Sequence, residues 1–304
     1  MRPITIAALT GAAVLFAGTA FAQQNIDFSK VEIKATDLGN KTYMLEGAGG
    51  NITVAVGTDG IIMVDAQWAP LHDKIKAAIQ KISPLPVKYL INTHYHGDHT
   101  DGNAAFHREG ATIVGQDNIR LRLVAGSTNG LTGNRSQPAP ADAVPTETYL
   151  GGCKNVSVGG RTAEVCHRTN AHTDGDSWIY FRDANVIATG DIVSRNYPNL
   201  DWGSGGSING MINSVNAFLM AANDNTKVVP GHGRLYDKRD LQDYRDMLVA
   251  ARDRIQKLRN EGKTEAEVVA AKPLADLDAK WGNPANPQAA VNFIKNVYNS
   301  FSRA

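Results

Sequence analysis

The sequence has almost no net charge. Its 31 Lys and Arg stand against 30 Asp and Glu, and a balance that even gives no reason to expect a nucleic acid partner. It lacks the polar or glycine-periodic bias of a disordered or collagenous chain, since 42% of its residues are hydrophobic, the composition of an ordinary globular protein. It has no internal repeat. Beyond its first residues it has no apolar run near the ~20 residues that a membrane span needs. Its cysteines number two in 304 residues, so a single bridge is the most that they can form. The length holds one large domain or two small ones.

The one long apolar run is at the start. Arg2 supplies a positive charge, residues 4–20 are apolar and small, and Ala20-Phe21-Ala22 has the small-x-small pattern of a cleavage site. Residues 1–22 therefore read as a secretory signal peptide, with a mature chain from Gln23 in the periplasm or outside the cell. A retained anchor is the competing reading. Thr5, Thr10, Gly11, Gly18 and Thr19 within the run weigh against it.

An exported chain gives the two cysteines an oxidising setting. Gly159-Gly160 is a two-residue hairpin turn signal. With that turn, Val158 faces Arg161, and outward counting brings Cys153 opposite Cys166 at a non-hydrogen-bonded position. There the Cα atoms lie about 4.5 Å apart, within reach of a disulfide. Two reduced buried thiols are the alternative.

Periodicity gives a coarse map. Residues 31–35, 41–45, 51–56 and 60–64 read as strands. Residues 71–82 read as a helix ended by Pro84 and Pro86. A buried-type strand, 87–92, follows. Residues 101–109 and 118–124 look helical around a strand at 112–115, and 126–145 is a Gly, Asn, Ser and Pro loop. After the hairpin come strands at 177–181 and 186–189, a loop at 195–207, a helix at 209–223 and a strand at 227–230. Leu241, Tyr244, Leu248, Ala251, Ile255 and Leu258 mark a long helix, stopped by Gly262. Thr264 to Glu267 is a capping box, and Pro287 opens the last helix as its first residue. Strands and helices interleave, hence α/β with helices outside. Residues 23–237 read as the main domain, and 238–304 as a helical extension packed on it.

The chemistry concentrates just after the strand at 87–92, in His94-Tyr95-His96-Gly97-Asp98-His99. Three of the chain's eight histidines fall in this hexamer. No helix or strand pattern asks for them, and imidazole and carboxylate are good zinc ligands. A solvated loop with chance histidines is the bland alternative. His72 and His107 read as solvent-exposed helix residues, and His167 is left unassigned.

The hexamer's H-x-H-x-D-H pattern resembles the signature of the metallo-β-lactamase superfamily. The resemblance continues in order through His172 in Asn170-Ala171-His172-Thr173-Asp174-Gly175-Asp176, Asp191 in Thr189-Gly190-Asp191, and His232 in Pro230-Gly231-His232-Gly233. It implies an αββα four-layer sandwich of two mixed sheets, with metals at one edge between them. It further implies His94, His96 and His172 on one ion, and Asp98, His99 and His232 on a second. Asp191 would bridge the two, with Asp98 and Asp191 the carboxylates of catalysis. Two Zn2+ fit such donors best, while iron or manganese remain chemically possible.

His96 stands where the redox di-iron relatives of the family carry Glu. The chain is too short for the inserted domain of the RNA-processing members. Asp191 stands where the best-known zinc β-lactamases have Cys or no ligand, and this resembles glyoxalase II and the lactonases. Export argues against a glutathione thioester. The expectation is a periplasmic hydrolase of a small molecule that opens a cyclic amide or ester. Thioester, lactone or phosphoester hydrolysis is the alternative, and a non-catalytic or quinoprotein-associated metal binder the third. Substrate choice would lie with loops over the metals: 47–51, Trp68, Tyr95 and 195–206. In that last segment Tyr197 and Trp202 offer an apolar wall and Arg195 a cation, unless the aromatics merely pack the loop. Oligomeric state is not legible.

Overall fold

A computed structural model describes residues 26–301. The signal peptide reading lies outside them. The first sheet opens with four antiparallel strands: β1 (Lys34–Gly39), β2 (Thr42–Glu46), β3 (Ile52–Val56) and β4 (Ile61–Val64). Helix α1 (His72–Ile82) crosses over to the parallel strand β5 (Val87–Ile91). The short helices α2 (Gly97–Thr100) and α3 (Asn103–Arg108) lead to β6 (Thr112–Gln116). Helix α4 (Asp117–Ala125) and a long loop lead to β7 (Glu147–Tyr149). The spatial order is β1-β2-β3-β4-β5-β6-β7.

The second sheet contains β8 (Cys153–Val158), β9 (Arg161–His167), β10 (Ser177–Phe181), β11 (Val186–Ala188) and, after α5 (Ile208–Ala221), β12 (Lys227–Val229). Its order is β12-β11-β10-β9-β8, with only the β11–β12 pair parallel. Both sheets are therefore mixed. The chain ends in α6 (Lys238–Asn260), α7 (Glu265–Ala270), α8 (Asp278–Trp281) and α9 (Gln288–Ser300).

Side-chain alternation along the strands explains the layering. Ile61 and Met63 of β4 point into a layer with Ile75 and Ile79 of α1 and Phe106 of α3. Their neighbours Ile62 and Val64 point the other way, into a layer between the sheets. There they meet Ile179 and Phe181 of β10 and Val186 of β11. Trp178, Tyr180 and Ile187, the alternate residues of β10 and β11, face a third layer. It holds Phe218 of α5, Leu241, Tyr244 and Leu248 of α6, and Phe293 of α9. Three apolar layers separate four structural ones, the αββα sandwich. Each fully buried aliphatic or aromatic side chain contributes about 1.5–3 kcal/mol. Strands β3, β4 and β10, buried at every residue, therefore hold much of the core.

The hairpin register agrees with the sequence reading residue for residue. Val158 pairs with Arg161 and Cys153 with Cys166. The turn glycines have φ of 51° and 79°, and the two cysteines are joined as a disulfide. Capping boxes at Asp237/Asp240 and Thr264/Glu267 open α6 and α7.

Two expectations shift, and two elements were not anticipated. The first strand begins at Lys34, not 31. Lys74 Nζ instead draws in the carbonyls of Phe28, Ser29 and Val31 at 3.0, 2.7 and 2.7 Å, so that segment lies against α1 and outside the ladder. Strand β7 and helix α8, three and four residues long, are too short to show a period. Pro287 caps α9 from outside its first turn, a displacement of one residue. Among the described residues, no helix is long and apolar enough to cross a membrane.

Candidate metal centre

The seven His and Asp donors implied by the resemblance come together at one end of the sandwich. Strand β5 runs into Asn92-Thr93-His94, and the turn into α2 carries His96, Asp98 and His99. The loop after β9 brings His172, the end of β11 brings Asp191, and the end of β12 brings His232. Every contributing loop leaves the sheets at the same edge.

The donors form two groups. In the first, His96 Nδ1 lies 3.1 Å from His94 Nε2 and 3.0 Å from His172 Nε2. Asp191 Oδ2 closes it at 3.9 and 3.8 Å from His94 and His172. In the second, His232 Nε2 lies 3.4 Å from His99 Nε2 and 3.2 Å from Asp98 Oδ2. Asp191 Oδ1 approaches His99 and His232 at 3.2 and 3.3 Å. One carboxylate thus turns one oxygen to each group.

These residues fit metal ions. Nitrogens bound at about 2.0–2.1 Å around a tetrahedral ion lie about 3.3 Å apart, close to the separations within the first group. Three of the outward ring nitrogens are occupied. His94 Nδ1 meets Thr93 Oγ1 at 3.1 Å, His99 Nδ1 donates to Asp65 Oδ2 at 2.7 Å, and His96 Nε2 donates to Asp201 Oδ2 at 3.1 Å. Such partners fix the tautomer that leaves the other nitrogen's lone pair facing inward.

The electrostatics agree. Burial, then the neighbouring His99, holds His94 well below the usual imidazole range. Burial and His96 bring His172 down to about 4. Both rings are therefore neutral donors. In the second group burial is outweighed by charge. Asp191 and Asp98 lift His232 to about 10, and Asp191 and Asp65 lift His99 well above its ordinary value. Burial would raise Asp98, but His99 and His232 bring it down to about 2. The surplus of carboxylates calls for positive charge, which protons or metal ions can supply.

Two glycines make room for these ligands. A Cβ at Gly50 would stand 2.1 Å from the His99 ring, and one at Gly231 would stand 2.0 Å from Asp191 Oδ1. Non-glycine residues also carry left-handed backbone beside the site. Asp65 and Gln67 have φ of 62° and 53°, in the turn that aims the Asp65 carboxylate at His99.

The residues proposed for substrate contact divide. Trp68 is half-buried against the first helix–sheet layer. Arg195 is exposed, and its stem lies along Gly233 beside His232. Its guanidinium carries no ion pair or hydrogen bond among the described residues. Tyr95 is buried and committed to the protein, with its hydroxyl donating to Asp201 Oδ2 at 2.6 Å. Tyr197 faces away from the metal centre. It stacks on Phe293, and its hydroxyl donates to Leu274 O and Asp278 Oδ1. The apolar layer under α8 and α9 claims it, so it is no wall of the site. Trp202 packs over Gly130 of the long loop.

Asp65 and Thr93 are neighbours of the site that sequence reasoning missed, while Asn51 and Asp201 lie within the candidate loops 47–51 and 195–206 but were not singled out there. Asp65 had one signal, a carboxylate immediately after a strand of four buried apolar residues.

The model of the metallo-β-lactamase superfamily matches residues 45–232. The chain belongs to that superfamily. It is 28% identical over 144 residues to the 2,4-dinitroanisole O-demethylase subunit alpha of Nocardioides sp. (strain JS1661), covering 46% of this chain and 40% of that subunit. The sec-alkylsulfatase Pisa1 from Pseudomonas sp. superposes with a TM-score of 0.67 at 18% identity, over 88% of this chain and 50% of the sulfatase. The metallo-β-lactamase from Pontibacter korlensis superposes with a TM-score of 0.59 at 17% identity, over 71% of this chain and 99% of its own. This member thus spans half or less of the demethylase subunit and the sulfatase. It has the fold of a superfamily of metallohydrolases and a His/Asp cluster suited to metal.

Proposed function

We propose that the protein is an exported, binuclear zinc hydrolase that opens a cyclic amide or ester of a small molecule. The observation that carries this is Asp191, one carboxylate facing a three-histidine group with one oxygen and an Asp-His-His group with the other. All-nitrogen and oxygen donors at tetrahedral spacing suit zinc. When bound, such an ion pair supplies a water ionised near neutral pH and an electrophile for the developing oxyanion.

The chain's own residues do the rest. Asp191 fixes the spacing of the two groups. Asp98 reaches His232 and His99 through Oδ2. Its Oδ1 takes the nucleophile's proton and passes it to the leaving atom. Arg195 meets an anionic group of the substrate. The Cys153–Cys166 disulfide supports export, and sequencing the amino terminus of secreted or periplasmic protein tests it.

A second reading, hydrolysis of an open-chain ester, thioester or phosphoester, draws on the C-terminal helices. The 88% of the chain shared with the sulfatase has to include part of them, while the lactamase match stops at 71%. The metal-loaded mature protein should be offered nitrocefin, a penicillin, a carbapenem, a lactone, a thioester, a phosphoester and an alkyl sulfate. Turnover of the cyclic substrates, lost in Asp98→Ala, supports the first reading, and turnover of the open-chain esters alone favours the second. No turnover above the buffer rate would overturn both.

A further inference from the structure

The loop between β2 and β3, residues 47–51, is bonded to one metal group and not to the other. Gly50 N–H donates to Asp98 O at 2.9 Å, and Asn51 N–H donates to Gly231 O at 2.7 Å. The Asn51 carboxamide donates both of its protons across the chain, to Pro230 O at 2.9 Å and Gly233 O at 2.8 Å. Those two carbonyls bracket Gly231-His232. Gly50 itself lies flat against the His99 ring, with no room for a Cβ. The loop thus touches the Asp98 backbone and the His99 ring directly, and reaches His232 through the carbonyls of its neighbours Pro230, Gly231 and Gly233. None of its hydrogen bonds reaches His94, His96 or His172.

His232, the most exposed of the seven side chains, is the ligand that most needs holding. The His232 and Asp98 side chains are 31% and 25% exposed and His96 is 21% exposed, against 1%, 0% and 0% for His94, His172 and His99. Packing locks the buried rings, while His232 depends on the path of its own backbone. Asn51 sets that path. It is 8% exposed, and its amide nitrogen has spent both protons on the turn that carries the ring.

We infer that Asn51 is a positioning residue for the second metal, acting through His232, so that one loop sets the affinity of this metal independently of the first. The inference rests on the binuclear reading above. A partner that orients a ligand typically accounts for about ten- to a hundredfold in metal affinity.

The test is a zinc titration of the full mature protein against a chelating dye, with metal counted after dialysis and the thermal midpoint of the metal-free form recorded. Asn51→Asp keeps the shape but turns carboxylate oxygen toward two carbonyls. Asn51→Ser keeps one donor. Wild type should hold two ions. The Asp variant should hold the first unchanged and bind the second about ten- to a hundredfold more weakly, with the Ser variant between. In a His232→Ala background, Asn51→Asp should cost the second site nothing more. Equal weakening of both ions, or an unchanged second ion, would overturn the inference. A wild type that holds a single ion would instead overturn the binuclear reading, with the variants playing no part in that outcome.

Discussion

Asp65 offers the sharpest test of how the site is held. Its carboxylate is buried, and all three of its partners are donors. Thr93 N–H reaches Oδ1 at 2.8 Å, while Thr93 Oγ1 and His99 Nδ1 each reach Oδ2 at 2.7 Å. Replacing Asp65 by Asn keeps the volume and turns one oxygen into a donor. If the amide nitrogen takes the Oδ1 position, it confronts the Thr93 N–H, which cannot reorient. If it takes the Oδ2 position, it confronts His99 Nδ1–H. The imidazole, cationic in the metal-free protein, then has to give up its Nδ1 proton and keep the one on Nε2, the atom that faces His232 and Asp191. Either arrangement loses a hydrogen bond to a charged group and strands a buried donor. The expected cost is about 2–4 kcal/mol of stability in the metal-free protein. Urea unfolding of stripped wild type and Asp65→Asn measures it. In the second arrangement, zinc affinity at the His99 group should also fall about ten- to a hundredfold. A variant that unfolds at the wild-type urea midpoint and titrates with unchanged zinc affinity would refute the claim that this carboxylate sets the His99 tautomer.

Other substitutions probe separate parts of the structure. Gly231→Ala places a Cβ 2.0 Å from Asp191 Oδ1 and 2.7 Å from the Gly190 carbonyl carbon. Since backbone cannot yield cheaply, the protein should retain less than one equivalent of zinc after dialysis. Tyr197→Phe removes hydrogen bonds to Leu274 and Asp278 far from the metals. It should lower stability by about 1 kcal/mol and leave kcat/KM unchanged on any substrate found. At the start of α6, hydrogen bonds from Arg234 hold the Asp240 carboxyl below its ordinary value against some burial. A depressed carboxyl contributes stability above its unfolded pKa of about 3.9 and loses it as pH falls through the folded value. The thermal midpoint gap between wild type and Asp240→Asn should therefore be full near neutrality and close in acid.

What the sequence disclosed depended on the range of the interaction. The Cys153–Cys166 pairing was legible because a two-residue glycine turn fixes every facing pair of its hairpin. The ligand set was legible because motifs record it in short runs, each at the end of a strand. The partners that hold the ligands left no such record. Asp65 lies 28 positions from Thr93 and 34 from His99, and Asn51 lies 179 from Pro230. The first two become contacts only when β4 and β5 pair within one sheet, and the third only when the two sheets pack. Tyr197 failed differently, because a loop aromatic can turn toward a site or into a core. Only the presence of Phe293 and Leu274 under it decided which.

The split ancestry of the two donor groups has a mechanical consequence. His94 and His96 come from the first sheet's side, while His172 and Asp191 come from the second. Asp98 and His99 likewise belong to the first, and His232 to the second. An ion in either group would therefore be a cross-link between the two halves of the sandwich, placed where the strands of both sheets end. Catalytic cargo would then double as a fastener. Ligands that bind only the folded chain stabilise it in proportion to the logarithm of their concentration over Kd, so the availability of metal would set how firmly the halves stay closed.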